Sequence, residues 1–333
     1  MNVIVKIGAR EFLTRSQYYK DGQMRKIGFA NAVFFAAIVA AILTVPVAGE
    51  AQCGGHGDRS TMLVSTEWLA DHMKDANVVI LEVGNHSDYT KGHIPGSLFA
   101  EYMDSHLMEG PTGLTLELPP MEQLAKVFGK LGITNESHII LYQPGDWFSP
   151  TARVYLTLDA MGLGRQTSVL DGGFLLWSKE GRPVTKEEPP APQPGTITPC
   201  PMNDVITEIE DVKASVRHAG VAIIDARDAE YYTGKTSPGD GQRRGHIPGA
   251  GSLPFTTLNG SDWKLKSADE LAAMFRNAGM KPGDRVIVYC HIGQQASAAY
   301  FAARTLGYDV RLYDGSWEDW SKHKDLKAET SKE

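Results

Sequence analysis

Cysteine is scarce in this chain: three residues in 333, at Cys53, Cys200 and Cys290. Three cysteines cannot build a disulfide scaffold, and no CxxC pair or Cys/His cluster has the spacing of a metal site. The ten histidines are scattered, so neither a metal nor a cofactor is expected. Positive charge is also short. The formal net charge is −7, and residues 1–51 hold six Lys/Arg against three Asp/Glu, which leaves the rest of the chain at −10. So acidic a chain lacks the basic face that nucleic acid requires. A small anionic substrate would have to be held by local groups against that field. With 42% hydrophobic and 22% charged residues, the bulk is globular, and its length suits two domains.

One long apolar run stands out, Ile27 to Ala48, broken by Asn31 and Thr44 and preceded by Met24-Arg25-Lys26. A basic start, an apolar stretch and the small residues Ala48-Gly49-Glu50-Ala51 form a secretory signal pattern, with cleavage expected after Ala51. The stretch is also long enough to span a bilayer, so an uncleaved anchor at residues 27–48 stays open. Both readings place the protein outside the cytoplasm, in the periplasm or its equivalent. The polar segment before Met24 points to translation starting there. Cys53 lacks the upstream leucine of a lipidation site.

Beyond residue 51 the chain repeats itself. Lys91-Gly92-His93-Ile94-Pro95-Gly96 returns as Arg244-Gly245-His246-Ile247-Pro248-Gly249, and Leu170-Asp171-Gly172-Gly173-Phe174 returns as Tyr313-Asp314-Gly315-Ser316-Trp317. The apolar runs Val78–Glu82 and His138–Tyr142 match Val221–Asp225 and Arg285–Tyr289. A period this long is a duplicated domain rather than a solenoid unit. In each copy short apolar strands alternate with helical patterns such as Pro120–Phe128 and Ser267–Phe275, the second opened by a capping box of Ser267 and Glu270. That alternation predicts an α/β fold with mainly parallel sheets and helices on both faces. Six prolines in residues 186–203 make an extended connector that also holds Cys200.

Cys290 ends the run Val286-Ile287-Val288-Tyr289 and opens the loop His291-Ile292-Gly293-Gln294-Gln295-Ala296-Ser297, before a helical pattern. Ligands of parallel sheets bind at such strand ends. Loop amides and a helix N-terminus favour thiolate, the nucleophilic form. A strand-end cysteine that only packs is the alternative on these residues alone.

Taken together, Asp225-Ala226-Arg227, Gly245-His246-Ile247-Pro248-Gly249-Ala250, the Cys290 loop and Tyr313-Asp314-Gly315-Ser316-Trp317 resemble the rhodanese family of tandem-domain sulfurtransferases. The resemblance covers residues 61–323. It implies a non-catalytic domain at 61–185, the linker 186–203 and a catalytic domain at 204–323. It further implies that Cys290 takes sulfane sulfur from a small anionic donor such as thiosulfate, forms a persulfide, and passes the sulfur to cyanide or a thiol. The amides of residues 291–296 would cradle the sulfur, with Gly293 allowing the tight turn. Gln294, Gln295 and Ser297 could donate to substrate oxygens. Asp225, Arg227, His246 and Asp314 match structural positions of the motif, the first two as a buried pair under the loop. A tandem pair buries its own interface and can act as a monomer.

Several positions depart from the family's pattern. Gln143 stands where the first copy would carry the nucleophile, and its loop runs two residues longer. Its Trp147 and Phe148 could face Cys290 across the domain interface or simply pack. The loop after Cys290 lacks the cations of the thiosulfate branch and the Gly-Ser-Gly of the mercaptopyruvate branch. Tyr231 stands where an arginine would clamp a carboxylate. Arg243 and Arg244 are the candidate replacements for anion binding. His291, next to the nucleophile, could act as a base. Phosphatases of this fold need an arginine six residues after the cysteine, where this chain has Ala296, and that argues against phosphate chemistry. A 3-mercaptopyruvate donor and a non-turnover persulfide carrier remain the alternatives to thiosulfate turnover.

Overall fold

The computed structural model describes residues 55–101, 110–239 and 242–331. The expected signal or anchor segment and Cys53 lie outside the described residues. No helix among the described residues is long and apolar enough to cross a membrane. All of them belong to one compact unit.

Two five-stranded parallel sheets are built by the same rule. The first comprises β1 (Leu63–Val64), β2 (Val78–Gly84), β3 (Leu98–Glu101), β4 (His138–Tyr142) and β5 (Thr167–Leu170), in the order β1-β5-β4-β2-β3. The second comprises β6 (Ile206–Thr207), β7 (Val221–Asp225), β8 (Gly251–Ser252), β9 (Arg285–Tyr289) and β10 (Val310–Tyr313), in the equivalent order β6-β10-β9-β7-β8. Among the described residues, the helices of seven or more residues are α1 (Thr66–His72), α2 (Met121–Lys130), α3 (Ser149–Ala160) and α4 (Gly173–Lys179) in the first half. Their counterparts in the second are α5 (Ile209–Ser215), α6 (Ala268–Asn277), α7 (Gln294–Thr305) and α8 (Ser316–Lys322). The α/β architecture with two duplicated domains is therefore as expected. Ser267 caps α6 in the anticipated capping box with Glu270.

The apolar strands are buried on both faces, and alternate residues enter different cores. Val286 and Val288 join Phe275 and Phe301, while Ile287 and Tyr289 join Trp317 and Trp320. The first of these cores is shared by both halves. Its centre is the packing of α3 on α7. Every residue of α3 is buried, and so is all of α7 except Gln295. Ala296, Ala298, Ala299, Ala302 and Ala303 give α7 a thin surface on both sides, which lets α3 approach closely while the sheet is covered behind. Phe301 inserts between Phe148 and Tyr155, edge to face with both, at centroid distances of 5.4 and 4.8 Å. At the far end of the pair, Tyr300 donates to Asp159 at 2.6 Å. His56 bridges Asp159 and Asp204 at 2.9 Å each. The connector is tied to the end of α3 by Cys200 N–H to Met161 O and Met202 N–H to Ala160 O, both 2.9 Å.

Candidate active site

Both loops that follow the central strands, after β4 and after β9, reach the start of the α3–α7 pair. Gln294 Nε2 donates to Ser149 Oγ at 3.1 Å, so the first residues of the two helices meet across the interface. Cys290 follows β9 directly and is fully buried. The backbone N–H groups of Ile292, Gly293, Gln295 and Ala296 all point at its sulfur. Gly293 adopts a left-handed conformation, φ +87°, and caps α7, a conformation that glycine tolerates best. A Cβ there would lie 3.0 Å from Arg153 Nη1 and 3.2 Å from Asp314 O.

The expectation that the loop would favour thiolate needs correction. Burial is the largest influence on Cys290 and pushes its thiol up; the four amides pull it down without offsetting that burial. The loop sequence shows the amides but not the burial of the sulfur, which disfavours the charged form.

The rest of the loop is committed to fixed partners. Ser297 Oγ donates back to Gly293 O at 2.8 Å. His291 lies edge-on to Tyr231, ring centroids 4.6 Å apart. Burial and then the nearby Arg227 charge lower its pKa to about 4. A base that weak holds no proton at neutral pH. Gln295 Oε1 is buried without a partner. Beneath the loop, Arg227 and Asp225 form the fully buried pair expected of them, Nε to Oδ1 at 2.9 Å. Arg227 Nη2 also donates to Gly245 O at 2.7 Å. Its guanidinium lies 4.6 Å from the Trp317 ring centroid.

The two arginines considered for anion binding are turned elsewhere. Arg243 donates to the carbonyls of Leu326 and Trp320, the latter at 2.9 Å, and Arg244 donates to Lys235 O at 2.9 Å. Trp320 lies in the last turn of α8, where free carbonyls and the helix dipole attract a cation. Trp147 and Phe148 separate. Phe148 is buried against Phe301 and Trp147 is 49% exposed, yet both line an interdomain cleft of about 480 Å³ with Phe255, Asn259, Trp263 and Ala298.

Two residues at the site had no role in the sequence reading: Ser316, which stood inside a quoted motif, and Arg153, which was not singled out. Ser316 holds a left-handed φ of +50°. Its Oγ accepts the Cys290 N–H at 3.2 Å and donates to Tyr313 O at 2.9 Å. Arg153 of α3 pairs with Asp314 at 2.8 Å. The only signal for Arg153 was a lone charge in an otherwise uncharged helix start.

The rhodanese-like domain pattern matches residues 65–180 and 208–323. The 3-mercaptopyruvate sulfurtransferase of Escherichia coli (strain K12) is 31% identical over 285 residues, covering 82% of this chain and 99% of its own. The thiosulfate sulfurtransferase of Cricetulus griseus is 30% identical over 276 residues, covering 78% and 91%. The crystal structure of SseA from Escherichia coli, described as a 3-mercaptopyruvate sulfotransferase, superposes with a TM-score of 0.68 at 30% identity, covering 77% of this chain and 99% of that one. With two such domains in tandem and relatives matched along nearly their whole length, the chain belongs to the rhodanese family and is a sulfurtransferase.

Proposed function

We propose that Cys290 is the nucleophile of this sulfurtransferase and that thiosulfate is its donor. The observation that carries the reading is the convergence of four backbone N–H groups on Sγ. Fixed amides stabilise negative sulfur without proton transfer and with little reorganisation. In the first half-reaction the Cys290 thiolate attacks the outer sulfur of thiosulfate. An Sγ–S bond forms, the S–S bond of the donor breaks, and its electron pair leaves with sulfite. In the second, cyanide or a thiolate attacks the terminal sulfur, and the electron pair of the broken bond returns to Cys290. Because burial raises the thiol, the first step should quicken as pH rises.

A second reading, 3-mercaptopyruvate as donor, is favoured by the 31% identical relative of that name. Intact mass after single turnover decides between them. One sulfur gained from thiosulfate and removed by cyanide supports the first reading; gain from 3-mercaptopyruvate alone supports the second. No gain from either, or gain in Cys290→Ser, rejects both.

We also propose that the protein works outside the cytoplasm, as a monomer. The apolar segment 27–48 supports export, and so does the disulfide that holds Cys200, since such bonds persist in oxidising compartments. The helix pair α3–α7 already buries the apolar surface around the site. Cell fractionation and sedimentation of the purified protein test the two statements.

A further inference from the structure

The half without a nucleophile reaches into the Cys290 loop at one point. Arg153 lies in the second turn of α3, its side chain 4% exposed. Nη1 donates to Asp314 Oδ1 at 2.8 Å, and Nη2 donates to Leu116 O. The other Asp314 oxygen accepts the Leu118 N–H at 2.6 Å. Leu116 is itself buried and left-handed, with φ +59°, a conformation that a leucine holds only when its surroundings enforce it. Asp314 and segment 116–118 are thereby locked together across the interface. The lock bears on Gly293. A Cβ there would press on Arg153 Nη1 at 3.0 Å and the Asp314 carbonyl at 3.2 Å, so either neighbour would have to give way by a few tenths of an ångström. Gly293 is both the cap of α7 and one of the four residues whose N–H faces Sγ.

We propose that Arg153 is a positioning residue for the Cys290 loop: through Asp314 and against Gly293, it fixes the turn in which the amides of residues 292, 293, 295 and 296 converge on the sulfur. This gives the silent domain a part in the chemistry, since its helix supplies the arm that shapes the loop of its twin. The catalytic consequence rests on Cys290 being the nucleophile, whereas the effect on the loop does not.

The test is an ultraviolet titration of the Cys290 thiolate in the full chain, with Cys290→Ser as the blank, in the unsubstituted protein, Arg153→Met and Arg153→Lys. Single-turnover sulfur uptake from thiosulfate and 3-mercaptopyruvate is read alongside. Loss of the guanidinium loosens the amides, so Arg153→Met should titrate about one pH unit higher, an approximately tenfold lower thiolate fraction at fixed pH. Sulfur uptake should fall in proportion. Arg153→Lys should recover part of the loss, because an ammonium can reach Asp314 but cannot span Asp314 and Leu116 O together. A titration of Arg153→Met that superimposes on the unsubstituted protein overturns the proposal. If that variant does not fold, Arg153→Lys decides on the same criterion. If the titrations shift but no protein takes up sulfur, the positioning role stands and the nucleophile assignment falls.

Discussion

The two halves share one strand order and repeat the same hydrogen bonds and ring stacks, and they differ in a few residues around one loop. Tyr142 and Tyr289 each accept a backbone N–H, from Ile94 at 3.2 Å and Ile247 at 3.0 Å. His93 and His246 stack on Tyr89 and Tyr232 at 3.7 and 3.8 Å. Gln143 O accepts from Phe174 N–H, and Cys290 O from Trp317 N–H, both at 3.0 Å. Against that constancy, Asp225 and Arg227 are replaced in the first half by Glu82 and Gly84, Cys290 by Gln143, and Ser316 by Gly173. A Cβ on Gly173 would lie 2.8 Å from the Gln143 side chain, so the glycine makes room for the larger residue. The duplication thus kept the frame of the turns and strands, while the residues that handle charge under and over the loop diverged.

The largest effect should come from moving the proposed nucleophile. Cys290→Ser is expected to abolish sulfur transfer, and Gln143→Cys should not restore it in that background. Pro144 removes an N–H directly after Gln143, and the longer loop cannot bring amides onto the sulfur in the same register. Sulfur uptake measured by intact mass checks both; uptake in the double variant would show that the scaffold alone suffices.

Next in size is the buried pair. Arg227→Met leaves Asp225 charged and unpaired at zero exposure, and should cost about 3–5 kcal/mol in urea unfolding. At the matching position of the first half, Gly84→Ala meets only Pro144, 2.8 Å from the new Cβ, and should cost about 1–3 kcal/mol. Equal losses would mean that the charge is not what separates the halves.

How much of this was legible beforehand follows from the range of each interaction. β2, β4, β7 and β9 announce themselves as apolar runs, and the capping box of α6 is local. β1, β6 and β8, of two residues each, are too short to leave a period and gain their identity from pairing. The same division holds at the site. Cys290 and its loop amides are contiguous, so the loop could be anticipated. The pairing of Arg153 with Asp314 joins residues 161 apart, and no spacing rule reaches that far. Arg243 misled because it adjoins a motif, while the carbonyls that claim it come from Trp320 in the last turn of α8 and from Leu326 just beyond it.

A smaller effect separates the halves by pH. Glu82 occupies the place of Asp225 without a guanidinium. Tyr142 donates to one oxygen at 2.7 Å, and the other is buried without a partner. Burial, opposed by the Tyr142 hydrogen bond and aided by Asp88, pushes its pKa up to about 7 from 4.5. A carboxyl raised on folding contributes stability that is complete below 4.5 and is lost as pH rises through 7. That loss is about 3 kcal/mol. Glu82→Gln should therefore flatten the urea-midpoint profile between those two values, and an unchanged slope would place the titration in another group.

The smallest effect on transfer should come from the seam between the halves. Cys200 is disulfide-bonded and Cys290 is free, so in the denatured protein without reductant an alkylating reagent should label Cys290 and spare Cys200. Cys200→Ser should leave the transfer rate unchanged. The connector stays pinned by the backbone hydrogen bonds of Cys200 and Met202 to the end of α3, which is the end opposite the Cys290 loop. A rate that fell with this substitution would mean that strain at one end of the helix pair reaches the sulfur at the other. The comparison of the halves would then have to include the tether that joins them.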